Sequence, residues 1–537
     1  MTVLISTSSE TRDAAAGAAA RTLPELLFVA AQVHAGRVAL EEGERRIDYR
    51  DLPEQALAVT RGLMAVGIEP GDRVAIWAPN SIDWVLLALG LQCAGAVLVP
   101  LNTRMKGAEA ADILARSGAR LLFVEAQFLG ADYPAMLAPH RPGSLEQVVT
   151  IATGSVVATE MTLADLRAKG LGVSLDAARQ RALAVRPEDL SDLLYTSGTT
   201  GKPKGVMNAH GQSLRAFSEY ARIIGLLPGD RYLIVNPFFH SFGYKAGWLT
   251  CLLAGATILP HAVFDAEAIF ERVSGERITV LPGPPALYLS MLAHPRLESA
   301  DLGSLRIAVT GASTIPPQLI ERIRHELGCA VVTTAYGLTE CGGLATICNP
   351  CEPAEIIAGT SGQPIPGTEV RIVDPQNRPL PANENGEICL RGFHVMQGYF
   401  DDPVATAEAI DAEGWLHTGD IGSLDSSGNL RITGRLKDMF IVGGFNCYPA
   451  EIEAALGEHP DVALVAVLGI PDPRMGEVCC ACVVRKVGAT LDEAGLIAWS
   501  RERMANYKVP RKVVFYEQLP TNASNKIDKL RLAAELP

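Results

Sequence analysis

Leu193-Leu194-Tyr195-Thr196-Ser197-Gly198-Thr199-Thr200-Gly201-Lys202-Pro203-Lys204-Gly205 joins a short apolar run to a stretch dense in hydroxyls, glycine and lysine. A strand that opens into such a loop suits an anion. Glycines let backbone approach closely, hydroxyls and amides donate hydrogen bonds, and two lysines supply charge, which together match a phosphate. The stretch is not a Walker A loop, because two residues instead of four separate Gly198 from Gly201 and proline follows Lys202. A bare cluster of this composition is more often a surface turn; the length of the hydroxyl run and the paired lysines favour phosphate.

Around this loop, short β-rich runs alternate with helix-length stretches. Runs at 74–77, 96–99, 120–124, 232–235, 278–281 and 305–309 predict an α/β fold, with wound, mainly parallel sheets and intervening helices. Trp84, Leu87 and Leu91 carry helical spacing. Residues 248–259 are apolar but too few to span a membrane, and read as a core helix running into a strand. At Gly434-Arg435-Leu436-Lys437-Asp438, after a strand-like 429–433, the composition turns charged, which divides the chain into domains 1–433 and 434–537. The second reads as strands 439–442, 462–468, 479–484 and 512–516 with helices 449–456 and 492–504, a small α+β unit on a short hinge.

The chain has 537 residues, 48% hydrophobic and 20% charged, which suits more than one folded core. A net charge of -13 argues against a nucleic-acid backbone as main partner. Eleven cysteines without a secretory leader predict reduced thiols and a cytoplasmic protein. Cys348 and Cys351 form a lone CxxC pair with no second pair or spaced histidines, so packed thiols are expected rather than zinc.

Further motifs extend the picture. Tyr336-Gly337-Leu338-Thr339-Glu340, Gly414-Trp415-Leu416-His417-Thr418-Gly419-Asp420, Gly434 to Asp438, and Gly443-Gly444-Phe445-Asn446-Cys447-Tyr448-Pro449-Ala450-Glu451-Ile452-Glu453 follow the loop in order. With it they resemble the adenylate-forming superfamily, which includes acyl-CoA synthetases, luciferases and peptide-synthetase adenylation domains. The resemblance implies an AMP-binding and acid-binding N-terminal domain and a C-terminal domain that swings about Lys437. It implies that Thr196, Ser197, Gly198, Thr199, Thr200, Gly201, Lys202 and Lys204 hold the β- and γ-phosphates of ATP, that Glu340 ligates Mg2+, and that Thr339 lies near the α-phosphate. Gly311, Ala312 and Ser313 resemble the adenine-contacting turn, with Tyr336 as stacking partner beside Gly337. Asp420 would accept the ribose hydroxyls, since a carboxylate offers two acceptor oxygens to a diol, and Arg435 would add a ribose or phosphate contact. Gly443 and Gly444 would let the pantetheine arm of coenzyme A pass. Lys526, in Pro520-Thr521-Asn522-Ala523-Ser524-Asn525-Lys526-Ile527-Asp528-Lys529, resembles the mobile catalytic lysine, although Asn525 stands where glycine is usual and Lys529 is the competing candidate.

The implied reaction is an ATP-dependent carboxylic acid:CoA ligation through an acyl-adenylate. No Ser/His/Asp triad is required, and no G-x-S-x-G elbow is present. Residues 236–247, Asn-Pro-Phe-Phe-His-Ser-Phe-Gly-Tyr-Lys-Ala-Gly, lack the acidic residue that amino-acid activation would need. This segment, with 278–285, 309–312 and 334–340, resembles bacterial CoA ligases of steroid-ring breakdown, of the type acting on an indanedione propanoate. A medium-chain or aryl acid, or loading of a carrier protein, are the alternatives. In this reading His240 orients the carboxylate, Tyr244, Gly311 and Gly337 line the acid site, and Lys245 donates to a polar group on the acid's far side. The alternative for Lys245 is an internal carboxylate or a snorkelled surface position. Expected partners are a small carboxylic acid, ATP and coenzyme A, with no nucleic acid or integral membrane association, and a homodimer left open.

Overall fold

The computed structural model of the chain describes residues 20–151, 160–196, 203–311, 315, 317–442, 445–521 and 527–536, without the side chains of Lys437, Phe445 and Asn446. Two large sheets organise its first four hundred or so residues. One has nine strands, with a parallel centre of Val331–Tyr336, Ile307–Gly311, Val280–Pro282, Arg231–Ile234, Thr257–Pro260 and Val38–Glu42. The other has eight, centred on parallel Leu190–Thr196, Val97–Pro100, Arg73–Trp77, Leu121–Val124 and Gln147–Thr150. Their strands are short and buried on both faces, as continuous apolar runs such as Leu-Leu-Phe-Val at 121–124 require.

The helix Ile82–Cys93 is buried at every residue except Asp83. Trp84, Leu87 and Leu91 therefore mark one face of a helix that is covered all round, which single-face spacing does not reveal. Ser81 caps its start by accepting from the Trp84 amide at 3.1 Å. Trp84 packs edge-on against Phe238 and Trp248, with ring centroids 5.3 and 6.2 Å away. This aromatic cluster ties the buried helix to the segment that follows Arg231–Ile234.

A four-stranded antiparallel sheet, Thr368–Val373, Gly386–Gly392, Leu416–Leu424 and Leu430–Arg435, comes next and was not anticipated from the parallel pattern. Strand pairing changes sheet between Arg435 and Phe440. From there Phe440–Val442, Val462–Asp472, Gly476–Arg485 and Lys512–Tyr516 form a separate sheet with helices Pro449–Gly457 and Glu493–Arg501. The expected helix 492–504 stops earlier, at Arg501. No helix among the described residues is long and apolar enough to cross a membrane. Of the lone CxxC pair, Cys348 is buried, with its thiol 3.5 Å from the Thr360 hydroxyl, and Cys351 is exposed.

Candidate active site

Leu190–Thr196 and Lys204–Ala209 pair antiparallel, with Thr196 opposite Lys204, and form the two stems of a hairpin. Tyr195 and Thr196 therefore lie on one stem, opposite Gly205 and Lys204 on the other. Ser197, Gly198, Thr199, Thr200, Gly201 and Lys202 lie outside the described residues, as do Ala312, Ser313, Gly443, Gly444 and Lys526.

On the neighbouring sheet, the parallel strands Ile307–Gly311 and Val331–Tyr336 run side by side, with Gly311 opposite Ala335. Their carboxyl ends deliver Gly311, Tyr336 and Gly337 to one edge, where crevices form in wound sheets. Gly337 has no room for a side chain, because a Cβ there would sit 2.4 Å from the backbone of Gly343. The chain folds over at Thr339–Cys341 and reverses through Gly342 and Gly343, whose φ values are +69° and +103°. Glu340 is thereby presented half-buried, its Oε1 accepting the Tyr399 hydroxyl at 3.0 Å. Burial and the Glu340 charge both push the Tyr399 phenol pKa up, so it stays a donor. Lys204 Nζ lies 4.9 Å above the same ring, which brings a lysine of the hairpin to the Glu340 side. Tyr399, which no local pattern distinguishes, joins the two motifs.

Asp420 is 5% exposed and receives two donors: Tyr336 Oη at 2.7 Å and Arg435 Nε at 2.9 Å, from directly across the strand pair. Tyr336 and Arg435 therefore serve this carboxylate as hydrogen-bond partners, a use not read from the sequence. Each oxygen retains a second lone-pair site, so the group still suits a vicinal diol. Behind it, Glu387 accepts the Gly419 amide at 3.1 Å and meets His417 Nδ1 at 2.9 Å, while Cys389 Sγ lies 3.5 Å from that nitrogen. Among the described residues this is the one group of three side chains able to converge on a metal. Glu387 and His417 already have protein partners, so the group acts as a brace for the Asp420 turn.

The segment after Arg231–Ile234 is fixed by Asn80. Its Nδ2 donates to the carbonyls of Ile234 and Asn236 at 3.1 and 2.9 Å, and its Oδ1 accepts from the Phe238 amide at 2.7 Å. His240 then caps the short turn Ser241–Gly243, Nδ1 accepting from the Phe242 amide at 3.3 Å. Ser241 packs on Gly343, where an added Cβ would come within 2.8 Å of its own. His240 is thus beside the turn that carries Thr339 and Glu340.

Tyr244 requires correction, and for Lys245 the structure matches the internal-carboxylate alternative rather than a contact with the acid. Both are 0% exposed, sealed in the core rather than lining an acid pocket. The Tyr244 hydroxyl accepts from Gln92 Nε2 at 2.8 Å and its ring stacks on Trp248, with centroids 4.8 Å apart. Lys245 Nζ sits 3.3 Å from Asp192 Oδ1, so the ammonium meets an internal carboxylate and not a group on the acid. Burial lowers the Lys245 pKa, opposed by Asp192. The sequence hid this pairing because the partner lies 53 residues upstream (245 − 192) in an apolar strand.

These pieces set donor and acceptor groups suited to an anionic nucleotide at the carboxyl edge of a wound sheet. Residues 27–400 match the model of the AMP-binding enzyme family and 451–526 that of its C-terminal domain, and the chain belongs to this family. It is an AMP-forming acid–thiol ligase, an acyl-CoA synthetase using ATP and coenzyme A. It is 49% identical to 3-[(3aS,4S,7aS)-7a-methyl-1,5-dioxo-octahydro-1H-inden-4-yl]propanoyl:CoA ligase of Mycobacterium tuberculosis, over 95% of this chain and 98% of that protein. It is 45% identical to the Rhodococcus jostii protein of the same name, over 96% and 98%. The crystal structure of ATP-bound MatB from Rhodopseudomonas palustris superposes with a TM-score of 0.83 at 29% identity, over 95% of this chain and 98% of that one.

Proposed function

We propose that the acid activated is the bicyclic diketone propanoate for which the two ligases are named, and that the chain works in the cytoplasm. The observation that carries this reading is near-full-length identity of 49% and 45% to them. The site supports the chemistry. A carboxylate is a poor acyl donor until its oxygen is esterified to AMP, so the chain must hold carboxylate and α-phosphorus in line and stabilise charge on the departing pyrophosphate. Residues 197–202 with Lys204 would cradle the outer phosphates, Asp420 the ribose, and His240 the carboxylate end. Glu340 offers a carboxylate, the ligand type a hard cation takes, and its Oε1 keeps acceptor capacity beyond the Tyr399 hydroxyl. Mg2+ bound there would neutralise phosphate charge. Lys526 would stabilise the adenylation transition state, and movement of 434–537 about Lys437 would then bring Gly443 and Gly444 to the coenzyme A path.

The test is acid-dependent pyrophosphate release across the bicyclic diketone propanoate, a medium-chain alkanoate and an aromatic acid. The diketone acid should give the highest kcat/KM; a higher value for either competitor sinks the substrate assignment and leaves the ligase class standing.

A further inference from the structure

The Lys245–Asp192 pair has no outlet to solvent, with both side chains 0% exposed. Replacing such a pair by apolar packing is often neutral or stabilising, so stability does not account for it. Its neighbours suggest what does. Asp192 lies in the first stem of the hairpin, and its Oδ1 also accepts from Asn208 Nδ2, on the second stem, at 3.0 Å. Its Oδ2 accepts the Ser191 hydroxyl at 2.7 Å. Lys245 lies in the π-helical turn Tyr244–Leu249, directly after the His240 turn, and its carbonyl accepts from Thr250 Oγ1 at 2.7 Å. The Glu340 turn passes close to the same group, since a Cβ added on Gly342 would be 3.8 Å from Asn208 Oδ1.

We propose that Lys245 and Asp192 are positioning residues: their ion pair is a strut that sets the acid-binding turn against the phosphate hairpin and the Glu340 turn for the adenylation step. This rests on the assignment of those segments to acid and phosphate. During adenylation the carboxylate and ATP are separate molecules, and their alignment depends on how the protein spaces the two sites. In thioester formation acyl group and AMP are already one molecule, so the same spacing matters less.

The experiment compares Lys245→Met, Asp192→Asn and the double variant in the full chain. Thermal midpoint, pyrophosphate release and thioester formation from supplied acyl-adenylate are measured separately. Each single variant leaves a buried charge or acceptor unmatched and should lower the midpoint. The double variant should regain most of it while adenylation turnover stays down about ten- to hundredfold and thioester formation changes by less than about threefold. If the singles do not fold, the double decides. Recovery of adenylation in the double, or equal losses in both half-reactions, overturns the strut. A loss in Lys245→Met confined to keto acids does so too, by placing Lys245 on the substrate. Failure of the wild type to release pyrophosphate with any acid would refute the functional reading itself, and the strut with it.

Discussion

Lys529 Nζ is held 2.6 Å from Glu453 Oε1, a carboxylate oxygen that also accepts the Val467 amide at 2.8 Å. That engagement favours Lys526 as the lysine of the adenylation step. Lys526→Ala should lower adenylation by at least about a hundredfold while thioester formation from supplied acyl-adenylate stays near wild type; normal adenylation with a defective Lys529→Ala would transfer the role. Tyr336→Phe removes one donor to Asp420, a loss of about 1.5 to 3 kcal/mol for a hydrogen bond to a charged group. Its KM for ATP should rise several-fold with little change in that for the acid, as measured in steady-state kinetics. A rise confined to the acid would separate Tyr336 from the nucleotide. At this scale the loop's suitability for phosphate could be read from its own residues, whereas the roles proposed for Glu340, Tyr336 and Asp420 came from the resemblance of their motifs to a family. Tyr399, Asn80 and Asp192 were not legible, because each meets its partner only after distant strands pair.

The turn Ser241–Gly243 shows how tightly an element can constrain one residue: a Cβ on Gly243 would lie 2.2 and 2.3 Å from the carbonyl oxygens of Pro237 and Asn236. Gly243→Ala must displace that turn and with it His240. It should raise the KM for the acid by more than about tenfold, the scale on which small misplacements act, with less effect on the KM for ATP; parallel changes in both would mean that the whole site moves. The strand and helix succession was readable, since buried parallel strands leave short unbroken apolar runs between helix-length stretches. The antiparallel sheet was harder. Thr368–Val373 is only partly buried, alternates weakly and carries Glu369 and Arg371, so it resembles a loop until Gly386–Gly392 pairs with it. The hairpin was hidden for a related reason: strand Lys204–Ala209 is short and begins with a lysine that sequence alone assigns to the loop.

Over the whole molecule, two buried histidines with strongly lowered pKa values contribute to acid sensitivity. Burial pushes His210 down to about 3, and burial with the nearby Arg215 charge pushes His394 down to about 4. Both are neutral in the fold, whereas the unfolded chain takes up protons near pH 6.5, the ordinary histidine value. Stability is therefore full well above pH 6.5 and declines as pH falls through 6.5 towards the folded values, by about 1.4 kcal/mol per histidine near pH 5.5. His210 Nδ1 accepts the Leu23 amide at 3.3 Å, a contact that an asparagine oxygen can reproduce. In urea titrations at roughly pH 7.5 and 5.5, His210→Asn should lose less stability than wild type; an equal loss would assign the acid sensitivity elsewhere. The cysteines offer a different use. Ten of the eleven are buried and Cys351 alone is exposed, so a brief maleimide treatment of the native protein should attach one dye, read as a single mass adduct on one peptide. Spectroscopic handles usually demand that other thiols first be removed by mutation; here the folded chain protects them, and a fluorophore can be placed on the unmodified sequence.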